Sequence, residues 1–263
     1  LLVITTKWGG IGKLKADDYP QWGVYYFHWW LVKTIQRLMP SQFLNGTPLY
    51  AAYLRMLGVK IAPDVQLGTV TIGAEDLVTI DSDVSISSQT VIDNAFIENG
   101  LLKLRAVHLG AHAYVGSSAV IAGNTVMEPW SELRDLSFLP AGSRVKPGEV
   151  WQGSPAVLKE TKEISGLPQP LPVTKTTRIK YSLIFSLFLL VFPFTVLLPL
   201  LPTIIILNRM DNAAPDYNFG YMVITPALAL SYIILFTGQT VLLTRLLQWG
   251  IKPGTYPGYS VFY

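Results

Sequence analysis

The chain of 263 residues contains three histidines, His28, His108 and His112. His28 lies inside an aromatic run and is expected to be a structural or interfacial residue, whereas His108 is the better candidate for proton transfer. Imidazole often acts as a general base because its pKa lies close to neutral pH. Asp93 and Glu98 lie upstream of His108 and are further candidates for a general base. The chain has no cysteine, which excludes thiolate nucleophiles, thiolate metal sites and disulfide bonds.

Other kinds of site have little support in the sequence. A zinc site with three histidine ligands is a rival hypothesis, but only His108 and His112 lie in the repeat region described below. The glycines there form neither a phosphate-binding loop nor a dinucleotide fingerprint. The formal charge of +3 is small and does not indicate nucleic-acid binding. We therefore expect no metal, no cofactor held by this segment and no nucleic-acid partner.

A six-residue period dominates the middle of the chain. The large apolar residues of this period are Leu109, Val115, Ile121, Met127, Leu133, Leu139, Val145 and Trp151. Small residues follow four positions after the first six of them: Ala113, Ala119, Thr125, Ser131, Ser137 and Ser143. One large and one small inward residue every six positions predicts a parallel β-helix with three flat faces per coil. Leu109 should then stack on Met127, one coil further on.

The period also extends upstream, with an interruption. Ile80, Ile86 and Ile92 keep the spacing of six, but Asp93–Leu104 does not fit it. We expect a β-helix domain over residues 59–158, with residues 93–104 forming a loop that protrudes from one corner.

Two long apolar stretches follow, at residues 181–207 and 219–244, and neither contains a charge. About 20 apolar residues cross a bilayer, so residues 181–244 should form two transmembrane helices; two buried core helices are the alternative. A basic linker over residues 159–180 precedes them. The positive-inside rule then predicts an integral membrane protein whose β-helix domain faces the cytosol.

The two ends of the chain resemble each other. Lys7-Trp8-Gly9 and the later Tyr19-Pro20 recur as Gln248-Trp249-Gly250 and Tyr256-Pro257. We therefore expect a segment of a longer tandem protein, with residues 245–263 opening the next repeat. Residues 1–58 should hold the end of a preceding span, an aromatic helix lying along the membrane surface near residues 22–38, and a second short helix.

The order of these motifs resembles a known family. The hexapeptide pattern, closed by Gly153-Ser154-Pro155-Ala156, is similar to left-handed parallel β-helix acyltransferases of the trimeric LpxA-like class. The whole chain resembles the membrane-embedded C-terminal region of non-ribosomal-peptide-synthetase-like proteins of the epsilon-poly-L-lysine synthetase type. That resemblance implies a left-handed β-helix and tandem sibling repeats. It also implies adenylation and carrier domains elsewhere in the polypeptide, which would present a phosphopantetheine-linked substrate.

The resemblance also bears on the site. A histidine on or near the protruding loop serves as the base in such acyltransferases, and Asn94 occupies the corresponding position here. An asparagine cannot act as a general base. The candidate catalytic residues are therefore His108, Asn94, Glu98 and Asp93, with His108 preferred because it borders the end of the loop.

The leading hypothesis is a membrane-anchored acyl- or aminoacyltransferase-like module that transfers a carrier-bound acyl group to an amine or hydroxyl. The alternative is a non-catalytic scaffold repeat that docks a carrier domain or shapes a substrate tunnel. A transporter role for the two spans is weaker, because neither contains the ionisable residues that mark transport paths.

Overall fold

The computed structural model describes residues 2–38, 41–164, 174–213 and 220–249. The chain forms two compact units, Leu1–Lys175 and Thr176–Tyr263, and each is considered separately below. Residues 250–263, which hold most of the predicted start of a next repeat, lie outside the described residues.

The first unit begins with short helical segments. In chain order these are α1 (Leu2–Thr6), a π-helical turn (Lys7–Ile11), strand β1 (Asp18–Pro20), α2 (Val24–Leu38), a 3₁₀ turn (Ser41–Leu44) and α3 (Pro48–Met56). Helix α2 covers the predicted aromatic helix. Its Val32 is buried against the protein, whereas Phe27 and Trp30 on another side are about half exposed.

Three sheets of short parallel strands follow; each of the first four coils contributes one strand to each sheet, and the fifth contributes to the first two sheets. The first sheet contains β2 (Lys60–Ile61), β5 (Val78–Ile80), β10 (Val107–Leu109), β13 (Thr125–Met127) and β16 (Arg144–Val145). The second contains β3 (Gln66–Leu67), β6 (Ser85–Ile86), β11 (Tyr114–Val115), β14 (Glu132–Leu133) and β17 (Glu149–Gly153), closed by antiparallel β18 (Ala156–Thr161). The third contains β4 (Val70–Ile72), β7 (Thr90–Asp93), β12 (Val120–Ala122) and β15 (Phe138–Leu139).

The strand pairing confirms the predicted stacking. Leu109 is the parallel partner of Met127, and Met127 is the partner of Val145. Val115 pairs in the same way with Leu133. Most of these large residues are fully buried, and each buried aliphatic side chain contributes roughly 1.5–3 kcal/mol to folding. The six-residue period therefore forms the core of a parallel β-helix.

Close contact between coils explains the glycines after the large residues. A Cβ on Gly110 would lie 2.7 Å from the backbone nitrogen of Pro129, and one on Gly116 would lie 2.4 Å from that of Asp135. Left-handed backbone is adopted by other residues at the corners, such as His112 (φ 60°). These two glycines are needed for close approach of neighbouring coils.

The segment that breaks the period forms a β-hairpin. Its strands are β8 (Ala95–Glu98) and β9 (Leu101–Leu104), and β1 adds a third, antiparallel strand beside β9. A second, smaller core lies beneath this sheet, where Leu102 and Leu104 are fully buried against aromatic residues of α2. The predicted loop is therefore ordered by the N-terminal segment.

Two ion pairs, one buried and one largely buried, also connect the N-terminal segment to the β-helix. Lys7 Nζ lies 2.7 Å from Asp76 Oδ2, and both side chains are at least 97% buried. Lys33 of α2 pairs with the neighbouring Glu75. Burying a charge is costly unless it is paired, so these contacts fix α2 and the π-helical turn against the coils.

The second unit contains helices α4 (Lys175–Leu197), α5 (Leu201–Ala213) and α6 (Gly220–Gln248), with a 3₁₀ turn (Leu198–Leu200) between α4 and α5. The continuous stretch Ile179–Met210 and helix α6 are long and apolar enough to cross a membrane. Few of their side chains are buried within the chain, unlike those of a core helix. This is weak evidence for membrane association, in agreement with the predicted spans.

Candidate active site

A histidine–aspartate pair lies on the outer face of the first sheet. His108 is the central residue of β10, between the inward Val107 and Leu109, so its imidazole projects outward. Asp81 directly follows β5 on the preceding coil, and its Oδ2 lies 3.0 Å from His108 Nε2. Both side chains are slightly less than half exposed. A carboxylate at this distance can orient an imidazole and stabilise its protonated form.

A second histidine lies near the adjoining corner. His112 stacks on Trp130 of the next coil, with ring centroids 4.1 Å apart. Its Nδ1 is 4.0 Å from Asp83 Oδ2, which is too long for a hydrogen bond. The ring contact and the left-handed backbone give His112 a structural place at the corner.

Asn94 is fully buried at the base of the hairpin. Its Oδ1 accepts a hydrogen bond from Ala74 N (2.8 Å), and its Nδ2 donates to Ala74 O (2.9 Å) and to Arg105 O (3.1 Å). All the hydrogens of the amide are used, and no face of it is open to a substrate. In this structure Asn94 joins the hairpin to the preceding coil.

The two acidic candidates end successive strands, Asp93 at the end of β7 and Glu98 at the end of β8. Glu98 precedes the hairpin turn and forms an exposed ion pair with Lys103, at 2.6 Å. Asp93 is at the base, on the outer side of β7, and its carboxylate forms no hydrogen bond or ion pair with any described residue. Partial burial raises the pKa of Asp93 above its usual value. Asp93 also lines a cavity beneath α2.

The structure does not bring all four predicted residues together. His108 is on the outer face of the first sheet and Asp93 on that of the third, and the hairpin emerges between them. Among the described residues, no group of three or more His, Asp or Glu is arranged to hold a metal ion. The His108–Asp81 pair is therefore the best-formed candidate for acid–base chemistry.

Sequence reasoning missed Asp81. The signal for it is the coil alignment: Ile80 is the parallel partner of Leu109, which places the next residue, Asp81, beside the strand that carries His108. The hairpin is inserted between these two coils in the sequence, so the six-residue period alone does not predict that Asp81 lies beside His108.

No family model matches the chain. The sequence is similar to the delta-poly-L-ornithine synthetase of Acinetobacter baumannii (strain AB307-0294), with 31% identity over 260 residues. The match covers 96% of this chain but spans only 19% of the length of that relative. The similarity therefore concerns one part of a much longer protein.

Solved structures of hexapeptide-repeat transferases are also similar. One is a hexapeptide transferase family protein from Anaplasma phagocytophilum, with 21% identity, a TM-score of 0.32, and coverage of 49% of this chain and 64% of the other. Another is a maltose O-acetyltransferase from Clostridium difficile 630, with 14% identity, a TM-score of 0.44, and coverage of 56% and 94%. At such scores the assignment of the β-helix rests on the strand pairing described above.

Proposed function

We propose that this chain is an acyl- or aminoacyltransferase-like module of a longer synthetase, and that it transfers a carrier-bound acyl group to an amine or hydroxyl acceptor. The observation that carries the proposal is the contact of 3.0 Å between His108 and Asp81 on an accessible face of the β-helix. The similarity to a poly-ornithine synthetase supports an amine as the acceptor.

The chemistry requires one proton acceptor. The acceptor amine attacks the thioester carbonyl, and His108 takes the proton from the attacking nitrogen. Asp81 stabilises the imidazolium that forms. When the tetrahedral intermediate collapses, the C–S bond breaks, the amide is complete, and the proton passes from His108 to the leaving thiolate. The products are one amide and one carrier thiol, so no further reactant is needed.

The surroundings of the pair indicate how the substrate would arrive. Both side chains lie near the surface, so a second surface has to cover them before water is excluded from the reaction. A carrier domain that presents a phosphopantetheine arm, or a sibling repeat of the same polypeptide, would supply it. Adenylation, carrier and sibling domains are accordingly the proposed partners, and the phosphopantetheine belongs to the carrier.

Membrane association is the other part of the proposal. The two apolar stretches of the second unit support it. Helix α2 and the turn before it also expose aromatic rings, including Trp22, which is 91% exposed. Such rings favour the headgroup region of a bilayer. We propose that the β-helix lies on the cytosolic side, as the flanking basic residues predict.

The test uses the full-length protein that contains this module, loaded with its acyl group on the carrier. Replacement of His108 by Gln should lower the transfer rate by about 10²–10⁴-fold, the usual contribution of a general base. Asp81→Asn should lower it less, because the imidazole remains. His112→Asn is the matched control, since Asn tolerates the left-handed backbone at that position. Unchanged transfer in His108→Gln, with carrier loading intact, would overturn the assignment.

A non-catalytic scaffold is the second candidate function, and the position of Asn94 favours it. The residue that stands where the resembled acyltransferases have their base is buried and fully hydrogen-bonded. A scaffold repeat would keep full transfer in His108→Gln and in Asp81→Asn. It would lose assembly when the solenoid core is disrupted, for example by Met127→Asp.

A further inference from the structure

A cavity of about 440 Å³ lies between helices α2 and α3 and the outer face of the third sheet. Its walls include the aromatic rings of Trp29, Tyr50 and Tyr53 and the aliphatic side chains of Leu54 and Val91. Its volume falls within the range of small-molecule sites, which are mostly apolar with a few placed polar groups. This cavity is separate from His108 and Asp81, which lie on another sheet.

One polar group in the wall has no partner. Tyr53 is 94% buried, and its Oη forms no hydrogen bond to any described residue. The side chain of Gln36 lies nearby without completing one. Tyr50, which stacks on Tyr53, has its hydroxyl satisfied by the backbone of Val70. Buried hydroxyls are nearly always hydrogen-bonded in native proteins, so the free Oη of Tyr53 indicates a ligand or a water.

The protonation state of this hydroxyl is fixed by its surroundings. Burial, followed by the nearby charge of Glu75, raises the pKa of Tyr53 to about 12. The hydroxyl therefore remains neutral at physiological pH and can both donate and accept a hydrogen bond.

Lys33 also lines the cavity, but its ammonium group is already occupied. It pairs with Glu75, donates to Ile72 O at 2.7 Å and contacts Gln36 Oε1 at 3.2 Å. Burial lowers the pKa of Lys33, and the charge of Glu75 opposes this effect. The Lys33–Glu75 pair adds no net charge to the cavity.

Two opposite charges remain among the cavity residues. Arg37 follows Lys33 by one turn of α2, and its side chain forms no ion pair or hydrogen bond to any described residue. Asp93 contributes an unpaired carboxylate from the end of β7. Both residues are exposed, so they lie where a ligand would enter.

We propose that this cavity binds a free α-amino acid. Its carboxylate would contact Arg37, its ammonium group would contact Asp93, and a polar side-chain end would reach the hydroxyl of Tyr53. A guanidinium group suits a carboxylate because it offers two parallel N–H donors. The aromatic and aliphatic walls suit the stem of the side chain. The site does not depend on the transfer reaction, and its binding is measurable without turnover.

The experiment measures equilibrium binding of each of the twenty L-amino acids to the full-length, detergent-solubilised protein. At least one amino acid with a polar side-chain end should bind saturably. Its N-acetyl derivative lacks the ammonium charge and its amide lacks the carboxylate charge. Each should bind at least about tenfold more weakly than the free amino acid. Asp93→Asn and Arg37→Gln should each weaken binding by a similar factor. Asp17→Asn, an exposed aspartate outside the cavity, is the matched control.

Tyr53→Phe provides a second readout, because it keeps the ring and removes only the hydroxyl. This substitution should weaken the binding of amino acids with a polar side-chain end and leave the binding of apolar amino acids unchanged. His108→Gln should leave binding intact, which separates this site from the proposed transfer chemistry. The proposed adenylation domain of the full-length protein would add its own amino-acid site, which none of these substitutions changes. The proposal would be overturned if no saturable binding component were lost in either Asp93→Asn or Arg37→Gln.

Discussion

Replacing Asn94 by Asp tests whether this residue fastens the hairpin. The change is nearly isosteric and keeps the acceptor for Ala74 N, but a carboxylate oxygen would replace the amide nitrogen. That oxygen would face the carbonyl oxygens of Ala74 and Arg105, which now accept hydrogen bonds at 2.9 and 3.1 Å. Each lost buried hydrogen bond costs about 1–3 kcal/mol, and the buried charge adds to this. We expect local destabilisation of about 3–5 kcal/mol at pH 8.

The effect should depend on pH with a definite sign. Burial and the two carbonyls raise the pKa of the new aspartate in the folded state above its unfolded value of about 3.9. The free energy of opening of the Asn94→Asp variant is therefore highest below that unfolded value, and it falls as the pH rises through the folded-state pKa. The defect in Asn94→Asp should be smaller at pH 5 than at pH 8. Asn94→Ala, which has no titrating group, should show a defect of similar size that does not change with pH.

Amide hydrogen exchange, corrected for the intrinsic effect of pH, measures this local opening in the whole protein. The reporting amides are Ala74 N, which donates to the Asn94 side chain, and Arg105 N, which donates to Asn94 O at 2.9 Å. A loss of 3–5 kcal/mol corresponds to exchange faster by about a hundred- to several-thousandfold. Exchange as slow as in the wild type in Asn94→Asp at pH 8 would refute the structural role of Asn94. If acyl transfer were lost while exchange stayed that slow, the result would indicate a chemical role.

Two further predictions concern the solenoid and the apolar helices. Gly116→Ala should destabilise the β-helix by about 1–3 kcal/mol, because its Cβ would lie 2.4 Å from Asp135 N; an unchanged midpoint of thermal unfolding would contradict this. In the second unit, Gln239 Nε2 donates a hydrogen bond to Thr195 O at 2.7 Å. This carbonyl is available because Pro199, four residues further on, has no backbone N–H to donate to it. Gln239→Leu should weaken the pairing of these helices by about 0.6–2 kcal/mol, measured by cross-linking of engineered cysteines; wild-type cross-linking would refute it.

The β-helix could be predicted because its core repeats in the sequence itself. Every sixth residue from Leu109 to Trp151 is large and apolar, and the coils stack these residues directly on one another. Such a core is specified by neighbours one coil apart. The place of the interruption was predictable for the same reason, since the period stops there. Its predicted start was slightly too early, because Asp93 still pairs with Ala122 in the third sheet.

The conformation of that interruption could not be predicted. Its strand β9 pairs with β1, so Lys103 has Asp18 as its partner across more than eighty residues of sequence. Neither strand repeats, and β1 contains a proline, which argues against a strand in sequence reasoning. The pairing depends on α2, whose position is in turn fixed by buried charges.

Those charges are the part of the structure that sequence reasoning is least able to find. Lysine is among the residues least often buried, so composition assigns Lys7 and Lys33 to the surface. The structure buries Lys7 fully and Lys33 for the most part, because consecutive acidic residues, Glu75 and Asp76, each face one of them. The same arrangement creates the cavity beneath α2, since Lys33 stands in its wall. The sequence alone therefore does not predict the candidate amino-acid site, because these pairs join residues that are far apart in the chain.

The hairpin also determines which candidate residues can act together. In later coils the corresponding corner is turned by one residue with left-handed backbone, Asn124 or Gly142. At the earlier coil the hairpin replaces this residue, and parallel pairing resumes at once between Val107 and Thr125. Asp93 is thus the last residue before the insertion, and His108 lies just after it, on different faces of the solenoid. Closeness in sequence to a protruding segment therefore does not bring two side chains into one site: the insertion separates the aspartate from the histidine and gives each a different neighbourhood.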